Sequence, residues 1–567
     1  MTEEGGLDRR AFVSYFSAAG LSGTLFPGAL WAYAQQEQRV TKPMIENAEK
    51  VAGLEFTDEE REQMLRGLNQ NVEHWEQLRA VPLPNSVVPA VQFDVQLPGV
   101  PYPTAQLEPD PGPPPAVERP GSVEDVAFWS VRQLGELLRT RQVTSVELTT
   151  MYLDRLKRFN PQLKAVINLT EQRALRQAEA ADREIAAGGY RGPLQGVPWG
   201  AKDLLAVRGY PTTFGAKPYE HQVIDEDATV VRKLDEAGAV LVAKLTLGAL
   251  AQGDQWFGGR TNNPWNLEQG SSGSSAGPGS ATAAGCVAFS IGTETLGSIV
   301  SPSTRNGVTG LRPTYGRVSR HGAMALSWSM DKIGPMCRSA EDCALVFSAI
   351  HGADQKDRTA RDVPFAWNAT RPLSSLRIGY FRSAFERAES ENDQRRKVFD
   401  DAALEVLRAQ GIELIPIETP AQYPLNALRS AILSAEAAAA FEELTRSGRV
   451  NEIERSSWPN SFRQSRLIPA VEYVNANRVR TLVMQAMHEV MQGVDVFVAP
   501  TSGNNVLVLT NLTGHPAVCL PNGFTAEGTP VSISFIGRLW GEAELLRVAK
   551  AYQDATDFNK RRPPLFV

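Results

Sequence analysis

Cysteine and histidine, the usual ligands of zinc and other transition metals, are scarce in this sequence. Across 567 residues there are four cysteines and six histidines. They are scattered, with no cluster at metal-ligand spacing, so neither a metal nor any other cofactor is expected. Cys286, Cys337, Cys343 and Cys519 lie in apolar surroundings and read as buried free thiols. The alternative is one disulfide, for which Cys337–Cys343 is the closest pair in sequence. Excess charge is also scarce, at a net −6 with 22% charged residues. Such a balance offers no basic face, so nucleic acid is not an expected partner. After the N-terminus no apolar run is long enough to span a membrane, and no internal repeat is found. What remains is an ordinary globular composition, 42% apolar, long enough for a large core and two or three domains. A homodimer is compatible with such a chain.

The first 34 residues read as an address label. Asp8-Arg9-Arg10-Ala11-Phe12-Val13 resembles a twin-arginine export motif, and a weakly apolar, Gly/Ala-rich stretch follows to Trp31. Ala32-Tyr33-Ala34 offers a small-x-small cleavage site. The alternative, an amphipathic helix, is opposed by Gly20, Gly23, Pro27 and Gly28. Export to the periplasm or the cell exterior is therefore expected. Residues 35–80 form a helical extension: Thr57-x-x-Glu60 is a capping box, and Met64, Leu65, Leu68, Val72 and Trp75 follow at helical spacing. Residues 81–121 hold 12 prolines between Pro82 and Pro120, a density that excludes regular helix or central strand. This stretch reads as an extended connector, wrapping or tethering the extension to the core; a docking ligand for another protein is the lesser alternative.

From residue 122 onwards helical and strand patterns alternate, which argues for a layered α/β domain reaching residue 567. Thr144-x-x-Glu147 caps a helix bearing Leu148, Tyr152 and Leu156, and Leu169–Ala187 reads as another. Strands are expected at Ala239–Lys244, Leu376–Phe381, Ile412–Ile417, Val494–Ala499 and Val531–Gly537. Further helices are expected near Asp401–Ala409, Leu428–Arg446 and Leu545–Ala555.

The most informative run is Gly270–Trp328. It opens as Gly-Ser-Ser-Gly-Ser-Ser-Ala-Gly-Pro-Gly-Ser, which alone would pass for a flexible linker. A linker should separate domains, however, and here compact apolar sequence follows at once. Ala276–Phe289 has almost no charge and reads as a buried helix; it leads into a second serine-bearing turn at Gly297-Ser298. Two such turns joined by a buried element make a site. The run continues as Gly307-Val-Thr-Gly-Leu-Arg-Pro-Thr-Tyr-Gly-Arg-Val-Ser-Arg320.

These segments together resemble the amidase signature family, in which a Gly/Ser turn, a buried helix, a second turn ending Gly-Gly-Ser-Ile-Arg and a Gly-Leu-(Lys/Arg)-Pro-Thr segment follow one another. Leu194-Gln-Gly-Val-Pro-Trp-Gly-Ala-Lys202-Asp203 resembles the family's lysine segment, and Thr513–Phe524 with Pro530–Gln553 resembles its closing one. The likeness covers roughly Ser122 to Phe566. It implies a mixed central sheet flanked by helices, and a triad of Lys202, Ser274 on a cis peptide bond and the nucleophile Ser298. Ser274 and Ser298 are 24 residues apart, the family spacing, which rejects Ser271 and Ser272 for the bridging role. By the same resemblance the backbone N–H groups of Thr295, Leu296, Gly297 and Ser298 form the oxyanion hole, and Ser275 supports the relay.

The residues suit that chemistry. A serine hydroxyl needs a base, and no histidine lies in these segments. Lys202 can serve if it is neutral, and burial, which its apolar flanks Val197–Trp199 and Leu204–Val207 favour, lowers a lysine pKa. The sequence also departs from the pattern: Leu296 stands for a glycine, Glu294 for an aspartate and Val300 for an arginine. If position 296 needs a positive φ, a leucine is strained there. A catalytically weak binding protein of the same fold therefore stays open. So does a Gly-x-Ser-x-Gly elbow at Gly273–Gly277, which would make Ser275 the nucleophile of an α/β-hydrolase-type esterase. The expected function is hydrolysis of a small non-peptide amide, anilide, carbamate or ester through a serine acyl-enzyme. Trp256, Phe257, Trp328, Trp458, Phe462 and Tyr473 are candidates for an apolar pocket, most of them being ordinary core residues.

Overall fold

The computed structural model describes residues 39–104, 109–387, 391–502 and 504–567. The export motif and cleavage site lie outside the described residues. The chain divides into two compact units, Met1–Pro84 and Asn85–Val567. In the first unit, helices Lys42–Ala52 and Asp58–Arg79 are described. Thr57 and Glu60 form the anticipated reciprocal cap, and Arg61 reaches Glu49 at 2.9 Å to tie the two helices together.

The division falls at Pro84, so the proline-rich stretch belongs with the second unit. Within it Val95 is buried in a cluster with Tyr315, Val363 and Trp540. Trp540 Nε1 donates to Gln96 Oε1 at 3.0 Å. Proline supplies no N–H, and here side chains make up for the missing backbone bonds.

The second unit is built on one mixed sheet of eleven strands. In chain order these are β1 (Val166–Leu169), β2 (Pro198–Lys202), β3 (Val240–Leu245), β4 (Phe289–Glu294), β5 (Thr309–Arg312) and β6 (Lys332–Cys337). There follow β7 (Ile378–Phe381), β8 (Leu414–Ile417), β9 (Val496–Pro500), β10 (Ala517–Phe524) and β11 (Pro530–Gly537). Their order across the sheet is β1-β3-β2-β4-β6-β5-β10-β11-β9-β7-β8. β2 runs parallel to both β3 and β4, whereas β6 runs antiparallel to β4. All residues of β2, β3, β4 and β6 are buried, as expected of strands covered by helices on both faces.

Some boundaries differ from the sequence reading. The helix anticipated over Ala276–Phe289 stops at Ala283, and Phe289 already belongs to β4. Gly285 takes φ 63, and the Cys286 N–H returns to the Ala281 carbonyl at 2.9 Å, a left-handed helix stop that frees the chain to enter the sheet. The helix anticipated over Leu428–Arg446 breaks at Phe441, whose φ of −122 is not helical, into Leu425–Ala440 and Glu442–Arg446. Asn262–Asn263 and Asn266–Gly270 pair as a short hairpin just ahead of the Gly/Ser turn. All four cysteines are free and buried, so Cys337–Cys343 is not a disulfide.

Candidate active site

Parallel pairing of β2 with β4 brings their C-terminal ends to one edge of the sheet, the usual place for a site in an α/β fold. Lys202 ends β2, and Thr293 and Glu294 end β4. Because β6 is antiparallel, its first residue Lys332 lies opposite Glu294, which brings Asp331 to the same edge. The Gly/Ser turn enters from the side: the Ser275 N–H donates to the Ser298 carbonyl at 3.1 Å, joining the two serine turns. The Gly273–Ser274 peptide is cis.

Lys202 is fully buried. Its Nζ lies 2.8 Å from Ser274 Oγ, 3.0 Å from Ser275 Oγ, 2.9 Å from Thr293 Oγ1 and 3.3 Å from the Thr293 carbonyl. No carboxylate forms an ion pair with it among the described residues. Of the other buried lysines, Lys244 does have one, reaching Asp203 at 2.7 Å, whereas Lys332 donates to the Met330 carbonyl. Burial drives the Lys202 pKa well below the ordinary lysine value, against a weaker upward pull from Asp331 and Glu294.

The roles of the three hydroxyls around Nζ are not equivalent. Ser275 Oγ donates to the Thr293 carbonyl at 3.1 Å and accepts the Thr293 N–H at 3.1 Å. Its one proton is committed, so towards Lys202 it can only accept. Ser274 carries no such commitment and is free to donate to the lysine lone pair. No direct hydrogen bond joins Ser274 Oγ to Ser298 Oγ; contact between the two turns is through backbone.

Thr295 to Ser298 form the turn after β4. None of their four N–H groups finds an acceptor among the described residues, although Thr295 and Ser298 are each only 7% exposed. Buried donors are nearly always paired, so unpaired N–H groups in succession, with Leu296 half-buried and its three neighbours buried, are what an oxyanion hole would require. The next two N–H groups are occupied: Ile299 and Val300 donate to Glu294 Oε2 at 2.9 and 3.0 Å. The strain anticipated at Leu296 is absent. Gly297 takes the positive φ of 85, and Leu296 is not among the residues with positive φ.

Several functional neighbours escaped the sequence reading. Glu294 pairs with Arg312 at 2.9 Å, both fully buried, and accepts from Asn511 Nδ2 at 2.8 Å. Val300 thus contributes only its N–H where the family has an arginine. Burial alone would raise the Glu294 carboxyl, but Arg312, the Val300 N–H and Asn511 outweigh it and hold the pKa at about 2. Its stabilising effect is therefore complete above the ordinary carboxylate range and is lost as the pH falls towards 2. Glu294→Gln should lower unfolding free energy by about 3–5 kcal/mol, because Arg312 is left buried without its anion. Urea denaturation at neutral pH checks this. Thr293 and Asp331 were also missed; Thr295 Oγ1 donates to Asp331 Oδ1 at 2.6 Å. The extra length of an aspartate-to-glutamate change was the one available hint, pointing to a more distant cation for Glu294.

The family model described as Amidase matches residues 147–507. The chain belongs to the amidase family. A curated relative, a glutamyl-tRNA(Gln) amidotransferase subunit from Roseiflexus sp. (strain RS-1), is 37% identical over 482 residues, covering 76% of this chain and 97% of that protein. Among solved structures, the peptide amidase of Stenotrophomonas maltophilia superposes with a TM-score of 0.68 at 29% identity, covering 78% of this chain and 99% of its own. An amidase family protein of Bacillus anthracis str. Ames gives 0.69 at 25% identity, covering 78% and 93%. As an amidase signature hydrolase, this chain acts on C–N bonds of amides.

Proposed function

We propose that this amidase hydrolyses a small non-peptide amide, anilide or carbamate, with esters as easier substrates, through an acyl-enzyme on Ser298. The observation that carries the reading is a fully buried Lys202 surrounded by hydroxyls and a carbonyl, with no anion paired to it among the described residues. A neutral amine there accepts the Ser274 proton while Ser274 accepts that of Ser298. Ser298 Oγ attacks the carbonyl carbon, and the oxyanion is met by the N–H groups of Thr295–Ser298. The proton returns along the same path to the departing amine nitrogen as the C–N bond breaks. Water then attacks the ester in the reverse sense and frees Ser298.

The curated relatives favour a second reading, an amide-cleaving component of tRNA-dependent transamidation. The net charge of −6 and the absence of a basic face in the sequence weigh against it. Assaying glutamine beside acyl anilides and carbamates on the purified chain separates the two: glutamine as the preferred substrate would displace the first. The same proposal includes export through Arg9 and Arg10. Changing both to lysine should leave the protein in the cytoplasm on cell fractionation, and unaltered export of that variant would refute it.

A further inference from the structure

The turn Leu326–Asp331 has an unusual set of supports. Asp331 closes it, with Oδ2 accepting from the N–H groups of Leu326 and Ser327 at 2.8 and 3.0 Å. The other oxygen of the same carboxylate holds Thr295, so the turn stands against the oxyanion segment. From outside, Glu436 of helix Leu425–Ala440 accepts from Ser327 Oγ at 2.6 Å, and from Ser329 N and Oγ at 3.0 and 2.8 Å. Arg480 donates to Ser329 Oγ and to its carbonyl, both at 2.9 Å. Asn85, in the proline-rich segment, closes a two-bond amide pair with Ala325 at 2.9 and 2.7 Å.

Trp328 is at the tip. Its carbonyl is held by Tyr315 OH and by Arg320, so its backbone has little freedom. The residue is half-buried, and its indole N–H, itself buried, has no acceptor among the described residues. Of the other aromatic candidates, Trp256 is likewise half-buried with an unpaired indole N–H, edge-on to Phe257 at 4.9 Å, but no hydrogen bond ties it to the Thr295–Ser298 turn among the described residues. Trp458 and Phe462 stack at 4.7 Å in the core, and Tyr473 gives its hydroxyl to Glu436. A fixed turn that bonds the Thr295–Ser298 segment through Asp331 and carries a large, half-buried ring with an unpaired N–H is suited to meeting substrate.

We propose that the turn Leu326–Asp331, tipped by Trp328, is the substrate-selecting wall of this site, and that Glu436 and Asn85 are the positioning residues that set where Trp328 stands. The inference rests on Ser298 being the nucleophile, as proposed above. It gives the proline-rich segment a role in selectivity beyond connection.

The test is the rate at which alkyl fluorophosphonates of short and long chain label Ser298, followed by peptide mapping. Trp328→Ala should raise the long-to-short rate ratio by about tenfold, the scale on which an apolar pocket distinguishes chain lengths. Glu436→Gln and Asn85→Ala should move the ratio in the same direction by a few-fold, and each should do less when added to Trp328→Ala than to the parent, because coupled residues are not additive. Asn85→Asp, which keeps one of the two hydrogen bonds, should fall between Asn85→Ala and the parent. Should Glu436→Gln fail to fold, Ser329→Ala replaces it. A ratio unchanged in Trp328→Ala, or Asn85 and Glu436 variants that slow both probes equally, overturns the proposal alone. A parent protein that takes no label at Ser298 overturns the hydrolase reading, and this inference with it.

Discussion

Lys202→Met should leave a folded protein that has lost about 10³–10⁴ in kcat/KM on amides, the upper range for positioned proton transfer. Methionine is close to lysine in length and apolar, so it suits a fully buried position; what it lacks is the lone pair facing Ser274. In the parent enzyme kcat/KM should rise with pH. The active form is the neutral amine, so activity is absent while Lys202 is protonated and appears as the pH climbs through its folded-state pKa. Burial places that value well below the ordinary lysine range, so the limb should be complete before free lysines titrate. Histidine cannot supply such a limb from His515, which burial holds at about 3. Lys202→Arg should fail as badly as methionine, because a guanidinium keeps its proton throughout this range. Stopped assays between pH 5 and 10 with a p-nitroanilide decide it, and an active arginine variant would exclude the base role.

What the sequence made legible follows from how local each feature is. Lys202, Ser274 and Ser298 were assigned through the resemblance of their segments to the amidase signature motifs, which are read along the chain; the structure brings Lys202 within hydrogen-bond reach of Ser274 but joins neither to Ser298. Thr293 and Asp331 could not, since their place depends on which strands pair. Thr293 meets Lys202 only because β2 and β4 are parallel, and Asp331 meets Thr295 only because Lys332 registers opposite Glu294. The Glu294–Arg312 pair is hidden for the same reason, being made between β4 and β5, strands that are not even adjacent in the sheet. The condition for strain at Leu296 is not met, because the positive φ belongs to its neighbour Gly297. Helix centres were sound, whereas ends such as Ala283 and Phe441 depended on single residues leaving helical geometry. The proline-rich stretch reads as a tether because its composition forbids regular structure. Its anchoring through Asn85, Val95 and Gln96 uses side chains whose partners lie more than two hundred residues away.

The three serines should separate cleanly by substitution. Ser298→Ala removes the attacking oxygen, so no acyl-enzyme forms and hydrolysis falls to background. Ser274→Ala keeps the nucleophile but interrupts its path to Lys202, and should lose about 10²–10⁴ in rate on amides. That loss should be smaller on activated esters, whose leaving groups depart without a proton. Ser275→Ala should cost less than either, because its hydroxyl proton is already given to the Thr293 carbonyl and its part is to hold Thr293 and accept from Lys202. The elbow alternative inverts this order, with Ser275 indispensable and Ser298 a replaceable turn residue. The geometry opposes it: Ser275 is fully buried, and the partners of its Oγ are Lys202 and Thr293 rather than a histidine. A fluorophosphonate probe with peptide mass mapping gives the direct answer. Label on the peptide carrying Ser298 should persist in Ser275→Ala, weaken in Ser274→Ala and Lys202→Met, and vanish in Ser298→Ala. Label on Ser275 itself would transfer the nucleophile to the elbow and leave Lys202 without the role assigned to it.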